Sequence, residues 1–199
     1  LLDLDKKIRY FLPLLIFLLI VISACEEVYL PKPNGYNRID LPEHSYQVLP
    51  DTFPYKFDYS NYAQLSGDSN KLADRYWANL YYPDFDALVQ ITYKDLTKEQ
   101  NNASVLLNES FALTMKHDKR AYGIEESLLA LPNGQVASLT QLEGEVPTQL
   151  QFFTSDSTNH FFRGALYFNI ATKNDSLKPV INFIKDDVLH MLNSFEWKY

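Results

Sequence analysis

A single cysteine, Cys25, stands directly behind an apolar run and decides which part of this chain has to fold. Lys6, Lys7 and Arg9 form a cationic start, and Phe11 to Ile22 is apolar throughout, with Pro13 its one poor helix former. A spanning helix needs about 20 apolar residues, so this run suits the ~7–15-residue core of a secretory signal better. It ends Ile22-Ser23-Ala24-Cys25, a hydrophobic residue and two small ones in front of a thiol, which is the pattern of a bacterial lipobox. The competing reading is an ordinary signal peptide or membrane anchor in which the cysteine is incidental. The sole cysteine falls where acylation needs it, which favours the lipobox. Residues 1–24 are therefore expected to be a lipoprotein signal peptide, with diacylglycerol on the Cys25 thiol and cleavage between Ala24 and Cys25. Two or three acyl chains make a stable anchor, so the protein should sit on a membrane surface without spanning it. No second cysteine is present for an intramolecular disulfide, and stability must come from the core.

About 175 residues remain after Ala24, enough for one domain with a full core. Glu26 to Tyr36 holds Pro31, Pro33, Asn34 and Gly35, a composition that stays extended or turns. Residues 25–35 are expected to be a lipidated tether, and 36–199 a single domain. The chain carries a net charge of −7. The leader is basic on balance, so the remainder is more acidic still. That disfavours nucleic acid and anionic headgroups, which reward basic patches.

Short strands are expected at Tyr36 to Leu41, Ser45 to Leu49 and Tyr55 to Tyr59, and a polar loop over Ser60 to Lys71. Tyr76 to Tyr82 and Asp86 to Tyr93 form a hairpin around Pro83, which suits the second position of a type I turn. Ala87, Val89 and Ile91 should be its buried face. Thr97 to Lys119 then changes period. Ala103, Leu107, Phe111 and Met115 recur every fourth residue, and Thr97 with Gln100 forms a capping box. Four further strands are expected, at Ile124 to Leu131, Gln135 to Leu142, Gln149 to Thr154 and His160 to Ile170. Gly164-Ala165 suggests a bulge or a close helix crossing. A last helix, capped by Asn174, Asp175 or Ser176 with Pro179 in its first turn, aligns Leu177, Val180, Ile181, Ile184, Val188, Met191 and Leu192 in one stripe. Phe195 to Tyr199 adds a short strand. The fold class is α+β, an antiparallel sheet of about five to seven strands with two main helices, similar to a Mog1/PsbP-like sandwich.

The search for chemistry yields little. His44, His117, His160 and His190 are scattered without ligand spacing, so no metal site is expected, and no P-loop, GxGxxG or GxSxG motif occurs. Ser155, Asp156, His160 and Arg163 cluster in one hairpin, where a polar turn accounts for them better than a nucleophile and its base. Glu125-Glu126 and Asp186-Asp187 are neighbours that point to different faces, which suits solvent exposure. No catalytic residue and no cofactor site is expected, and the chain is not read as an enzyme. The aromatic content is high, with 14 Tyr, 13 Phe and 2 Trp, which suits either a glycan- or protein-binding face or a ring-rich core.

Pro31-Lys32-Pro33-Asn34-Gly35-Tyr36-Asn37-Arg38-Ile39-Asp40-Leu41-Pro42 resembles the opening of the mature gliding motility lipoprotein GldD of Bacteroidota, PKPxGYxRIxxP. The likeness continues through Trp77-Ala78-Asn79-Leu80-Tyr81-Tyr82-Pro83, Tyr93-Lys94, Thr114-Met115-Lys116-His117 and Phe161-Phe162-Arg163-Gly164-Ala165-Leu166-Tyr167-Phe168. The resemblance implies a cell-envelope lipoprotein required for gliding motility and associated with the type IX secretion system, a non-enzymatic component acting beside other gliding and secretion lipoproteins and machinery proteins. The only functional position it carries over is the lipidated cysteine, here Cys25. The expected location is the outer membrane, facing the periplasm. Asp156-Ser157-Thr158 and Asp175-Ser176-Leu177 also match the short O-glycosylation pattern of that phylum, which makes Ser157 and Ser176 candidate acceptors. The alternatives are a glycan-binding envelope lipoprotein, marked by aromatic rings exposed in one plane, and a small envelope hydrolase, marked by a cleft that gathers distant His, Asp or Glu.

Overall fold

The computed structural model describes residues 39–68, 73–117, 119–169 and 174–198, all of which belong to one compact unit, Asn37–Tyr199. The signal segment, the tether and Cys25 lie outside the described residues. The strands are β1 (Tyr46–Val48), β2 (Tyr55–Lys56), β3 (Asp58–Ser60), β4 (Gln64–Gly67), β5 (Ala78–Tyr82) and β6 (Ala87–Asp95), followed by β7 (Ala121–Ala130), β8 (Val136–Gly144), β9 (Thr148–Ser155), β10 (His160–Phe168) and β11 (Glu196–Trp197). Helix α1 spans Ala103–Met115 and α2 spans Asn174–Asn193. Seven strands form one sheet in the order β4-β5-β6-β10-β9-β8-β7, with every neighbour antiparallel. The α+β class with an antiparallel sheet and two helices is therefore the observed one.

The β5–β6 hairpin shows how local chemistry sets register. Pro83 starts a 3-10 turn, Pro83–Phe85, and Asp86 closes it in the left-handed region at φ 48°. Tyr81 Oη and Asn169 Nδ2 both donate to Asp86 Oδ1, at 3.0 and 2.6 Å, and hold that conformation. Beyond the turn Ala87, Val89 and Ile91 are completely buried while Leu88, Gln90 and Thr92 are half-buried. The alternation thus selects the face expected from sequence. A long-range pairing of β6 with β10, registered at Ile91 opposite Gly164, joins the first hairpin to the later meander.

Several boundaries differ from expectation for physical reasons. Gln64–Gly67 is a strand, not part of a loop. It lies at the sheet edge, where β5 is its only partner among the described residues, and its polar residues face water around half-buried Leu65. Residues 39–41 form no strand. The expected Tyr55 to Tyr59 strand is two strands on either side of buried Phe57, β2 pairing with β11 and β3 with β1. Asp95 Oδ1 accepts from both the amide and the hydroxyl of Thr97, at 3.0 and 2.6 Å, making a turn where a helix start was expected. The helix begins only after Asn102, whose side chain accepts from Val105 N at 3.2 Å, a standard N-cap contact. Pro179 lies inside α2, past its first turn.

Helix α2 covers one face of the sheet with Val180, Ile181, Phe183, Ile184, Val188, Met191 and Leu192, all buried. Between it and β2, β6, β10 and β11 lies a core of rings centred on Tyr55, with Phe162, Phe53, Tyr93 and Phe57 at 5.1 to 5.8 Å between centroids. Gly164 belongs to the same core. Its pairing is regular, opposite Ile91 and Phe152, and the irregularity falls instead between Leu166 and Tyr167. A Cβ there would collide with the Phe152 ring, so what removes the side chain is an aromatic ring laid across the strand, not a bulge or a helix. Gly164→Ala is expected to displace that ring and cost about 1–3 kcal/mol. Urea unfolding checks it, and an unchanged midpoint contradicts the ring-over-glycine reading.

Candidate functional site

Two regions gather polar side chains where packing alone would not. The first surrounds Asp187, whose position on α2 falls three residues after Ile184 and four before Met191, within the apolar stripe. It is 2 % exposed, which overturns the expectation that the Asp186-Asp187 pair faces solvent; Asp186 does. Tyr82 Oη donates to Asp187 Oδ2 at 3.2 Å, and His44 Nδ1 lies 2.7 Å from Oδ1. The His44 ring stacks on Phe183 at 4.3 Å, and Tyr46 stacks on His190 at 3.6 Å. Burial, then the charge of Asp187 and a hydrogen bond to it, push the Tyr46 phenol up to about 12. Burial first and Asp187 second raise Tyr82 as well.

A histidine oriented by a carboxylate is the skeleton of a general base. Acyl or phosphoryl chemistry also needs a nucleophile and oxyanion donors. Of the hydroxyls gathered here, Tyr46 and Tyr82 are held protonated and spent on Asp187, and Ser60, beside Tyr82, is completely buried away from any substrate. The arrangement is suited to latching the segment around β1, and the end of β5, onto α2. Asp187→Ala leaves Tyr82 and His44 facing a void and is expected to lower stability by about 3 kcal/mol. Urea unfolding measures it, and a loss below about 1 kcal/mol contradicts the latch.

The second region is the face of the sheet opposite α2. Gln151, Thr140 and Ser138 are buried there, and Arg163 Nη2 donates to Gln151 Oε1 at 2.8 Å. Helix α1 lies over β9 and β10 and meets them with Ser110 and Thr114, its only buried residues; Thr114 Oγ1 donates to the same Gln151 oxygen at 3.1 Å. Burial lowers the proton affinity of Arg163, and Tyr167 partly restores it. The expected apolar stripe on α1 is thus split: Ala103 and Leu107 are half-buried, whereas Phe111 is 59 % and Met115 43 % exposed. A polar buried sheet face demands polar partners, and this requirement overrides the helix's own periodicity.

The remaining sequence candidates separate. Asp156 Oδ1 accepts from the amides of Thr158, Asn159 and His160 at 2.8 to 3.0 Å. Burial opposes its ionisation, yet these amides hold the carboxyl below the usual range. Ser155 Oγ donates to the His160 carbonyl at 2.7 Å, and His160 Nδ1 lies 2.7 Å from Tyr93 Oη. Arg163 points to the other face of the sheet, while Ser155 and Asp156 meet His160 only at its backbone and so build a turn. His117 is lowered by burial first, and by Arg120, Arg163 and Lys116 next. Among the described residues no three His, Cys, Asp or Glu side chains converge, and no helix is long and apolar enough to cross a membrane. Ser157 is exposed at φ 64°, and Ser176 is half-buried inside the first turn of α2. Tyr55, Tyr59, Tyr82 and Tyr93 are buried and Tyr46, Tyr62 and Tyr81 half-buried, so these rings build the core rather than a sugar-binding plane. A cleft of about 290 Å³ lies between Asn133, Gln135 and Trp197, where Trp197 Nε1 already donates to Gln135 Oε1 at 2.7 Å.

Comparison with known proteins gives a family and similar solved structures. The family model described as Gliding motility lipoprotein GldD matches residues 26–197. No curated protein matches the chain. Among solved structures, the solution structure of cyanobacterial PsbP (CyanoP) from Synechocystis sp. PCC 6803 is similar at 12 % identity and a TM-score of 0.47, over 81 % of this chain and 97 % of that one.

Proposed function

The chain belongs to the gliding motility lipoprotein GldD family, and from that premise we propose that it is a lipid-anchored, non-enzymatic assembly component of the gliding machinery associated with type IX secretion. Family membership supplies the gliding role and the association with the cell envelope. Anchoring through Cys25, a place on the periplasmic side of the outer membrane, and contact with other gliding and secretion lipoproteins belong to the proposal.

The observation that carries the assembly role is the apolar surface that α1 leaves exposed. An ordinary packed helix hides its apolar side chains, whereas α1 buries Ser110 and Thr114 and leaves Phe111 and Met115, neighbours one turn apart, exposed. Exposed apolar clusters of this kind mark contact surfaces. The net charge of −7 favours a protein partner over nucleic acid or anionic lipid. Cys25→Ala is expected to leave an uncleaved, unacylated precursor and to abolish gliding. Normal processing with palmitate incorporation in that variant contradicts the anchor.

A further inference from the structure

Strand β7 is the last strand of the large sheet, and among the described residues it pairs on one side only, with β8. An edge strand directs backbone N–H and C=O groups away from the sheet and is a template for one more strand. The opposite edge, β4, has four residues; β7 has ten. Leu128 is 73 % and Ile124 38 % exposed. Both lie on the face that carries Thr140 and Ser138, with Glu126 between them, while Glu125 points to the face of Gln141 because neighbouring strand residues alternate. Both glutamates are exposed. Glu126 Oε1 accepts from Ser138 Oγ at 2.7 Å, and neither carboxylate has a Lys or Arg partner among the described residues.

This charge pattern discriminates between occupants. Pairing β7 with a second copy, antiparallel about Glu125 or about Glu126, sets that glutamate directly against its own counterpart, and like charges directly opposite destabilise a sheet. The irregularity between Ala121 and Gly123 adds to this protection against self-association. A cationic strand meets the reverse situation, with attraction at the centre and apolar contact on both sides.

We propose that β7 takes up an extended segment of a partner protein as an eighth, antiparallel strand, with two adjacent basic residues facing Glu125 and Glu126 and apolar residues facing Ile124 and Leu128. Read from its N-terminus, that segment is apolar, any residue, basic, basic, apolar. Main-chain hydrogen bonds supply affinity and the alternating side chains supply specificity. The proposal rests on the reading of the chain as an assembly component, and it names the chemistry of one partner.

The test places a photocrosslinking amino acid at Leu128 in the full lipidated protein in its own cells, with Val48, 70 % exposed on β1, as the control position. The expected result is an adduct from position 128, and not from 48, that maps to an extended segment with the apolar-any-basic-basic-apolar order. Glu125→Lys together with Glu126→Lys should lower its yield at least tenfold while leaving circular dichroism unchanged, and placing Glu at the partner's two basic positions should restore it. An adduct with a second copy, with lipid, or with a helical or acidic segment overturns the proposal, as does a yield unaffected by charge reversal or the absence of any adduct. If position 128 yields nothing while the lipidated protein still recovers gliding components, strand addition fails and the assembly reading stands. If both are lost, both fail.

Discussion

Raising the pH above about 10 is expected to unfold the domain over a narrow interval. Burial raises the phenols of Tyr55 and Tyr82 far above the ordinary tyrosine range, with the charge of Tyr93 and of Asp187 as the next contributions. In the unfolded chain the same phenols lose their protons near pH ~10, so above that value the native state binds protons that the unfolded state has released. Their contribution is therefore complete below pH ~10 and is lost as pH rises toward the native values, at about 1.4 kcal/mol per pH unit for each phenol, or about 2.7 for the two. Tyr46 and Tyr93, pushed up to about 12 mainly by burial, act in the same direction. Against a typical total of about 5–15 kcal/mol, two pH units remove much of the stability. Urea unfolding across this range, read beside phenolate absorbance, should show a flat region and then a steep fall, and Tyr82→Phe, removing one of the four raised phenols, should take away about a quarter of the slope. Stability that is level through about pH 11, or tyrosines that all ionise together near 10, contradicts the buried-phenol core.

Tyr55→Ala is expected to be the most damaging single substitution in the core. The ring is completely buried and touches Phe53, Phe57, Tyr93, Phe162 and Phe195, and its hydroxyl donates to the Tyr76 carbonyl at 2.8 Å. Removing a buried aromatic costs about 3–5 kcal/mol, and the abandoned carbonyl adds about 1. Tyr55 also pairs with Trp197 across β2 and β11, so the C-terminal strand loosens with it. Tyr55→Phe keeps the ring and should lose only about 1 kcal/mol. Urea midpoints of the two variants separate packing from hydrogen bonding, and a loss below about 1.5 kcal/mol for Tyr55→Ala contradicts the ring's central place.

What the sequence made legible follows from local periodicity. The β6 alternation through Ala87, Val89 and Ile91, and the α2 stripe from Val180 to Leu192, state their buried faces directly, and the turn at Pro83 states the hairpin. The α1 face was legible only in part, because a strict period of four drifts around a 3.6-residue helix, so that Ala103 and Leu107 are half-buried while Phe111 and Met115 turn to solvent. The polar sheet face beneath it is assembled from Thr140, Gln151 and Arg163, which come from three strands, and no window along the chain shows them together. Asp187 was legible in part: its spacing from Ile184 and Met191 places it on the stripe. Its adjacency to Asp186 suggested solvent instead, and its partners His44 and Tyr82 are remote in sequence. Strand β4 was hidden for a related reason, since an edge strand with one neighbour carries little hydrophobic pattern of its own.

The most direct test of the assembly role is a crosslinking pull-down of the tagged protein from the native envelope, comparing wild type with Cys25→Ser. Recovery of gliding and secretion components with the lipidated form alone is the predicted result. Equal recovery with the Cys25→Ser form contradicts a role that depends on the anchor, and recovery of glycan or of no protein from the wild type contradicts the assembly component itself.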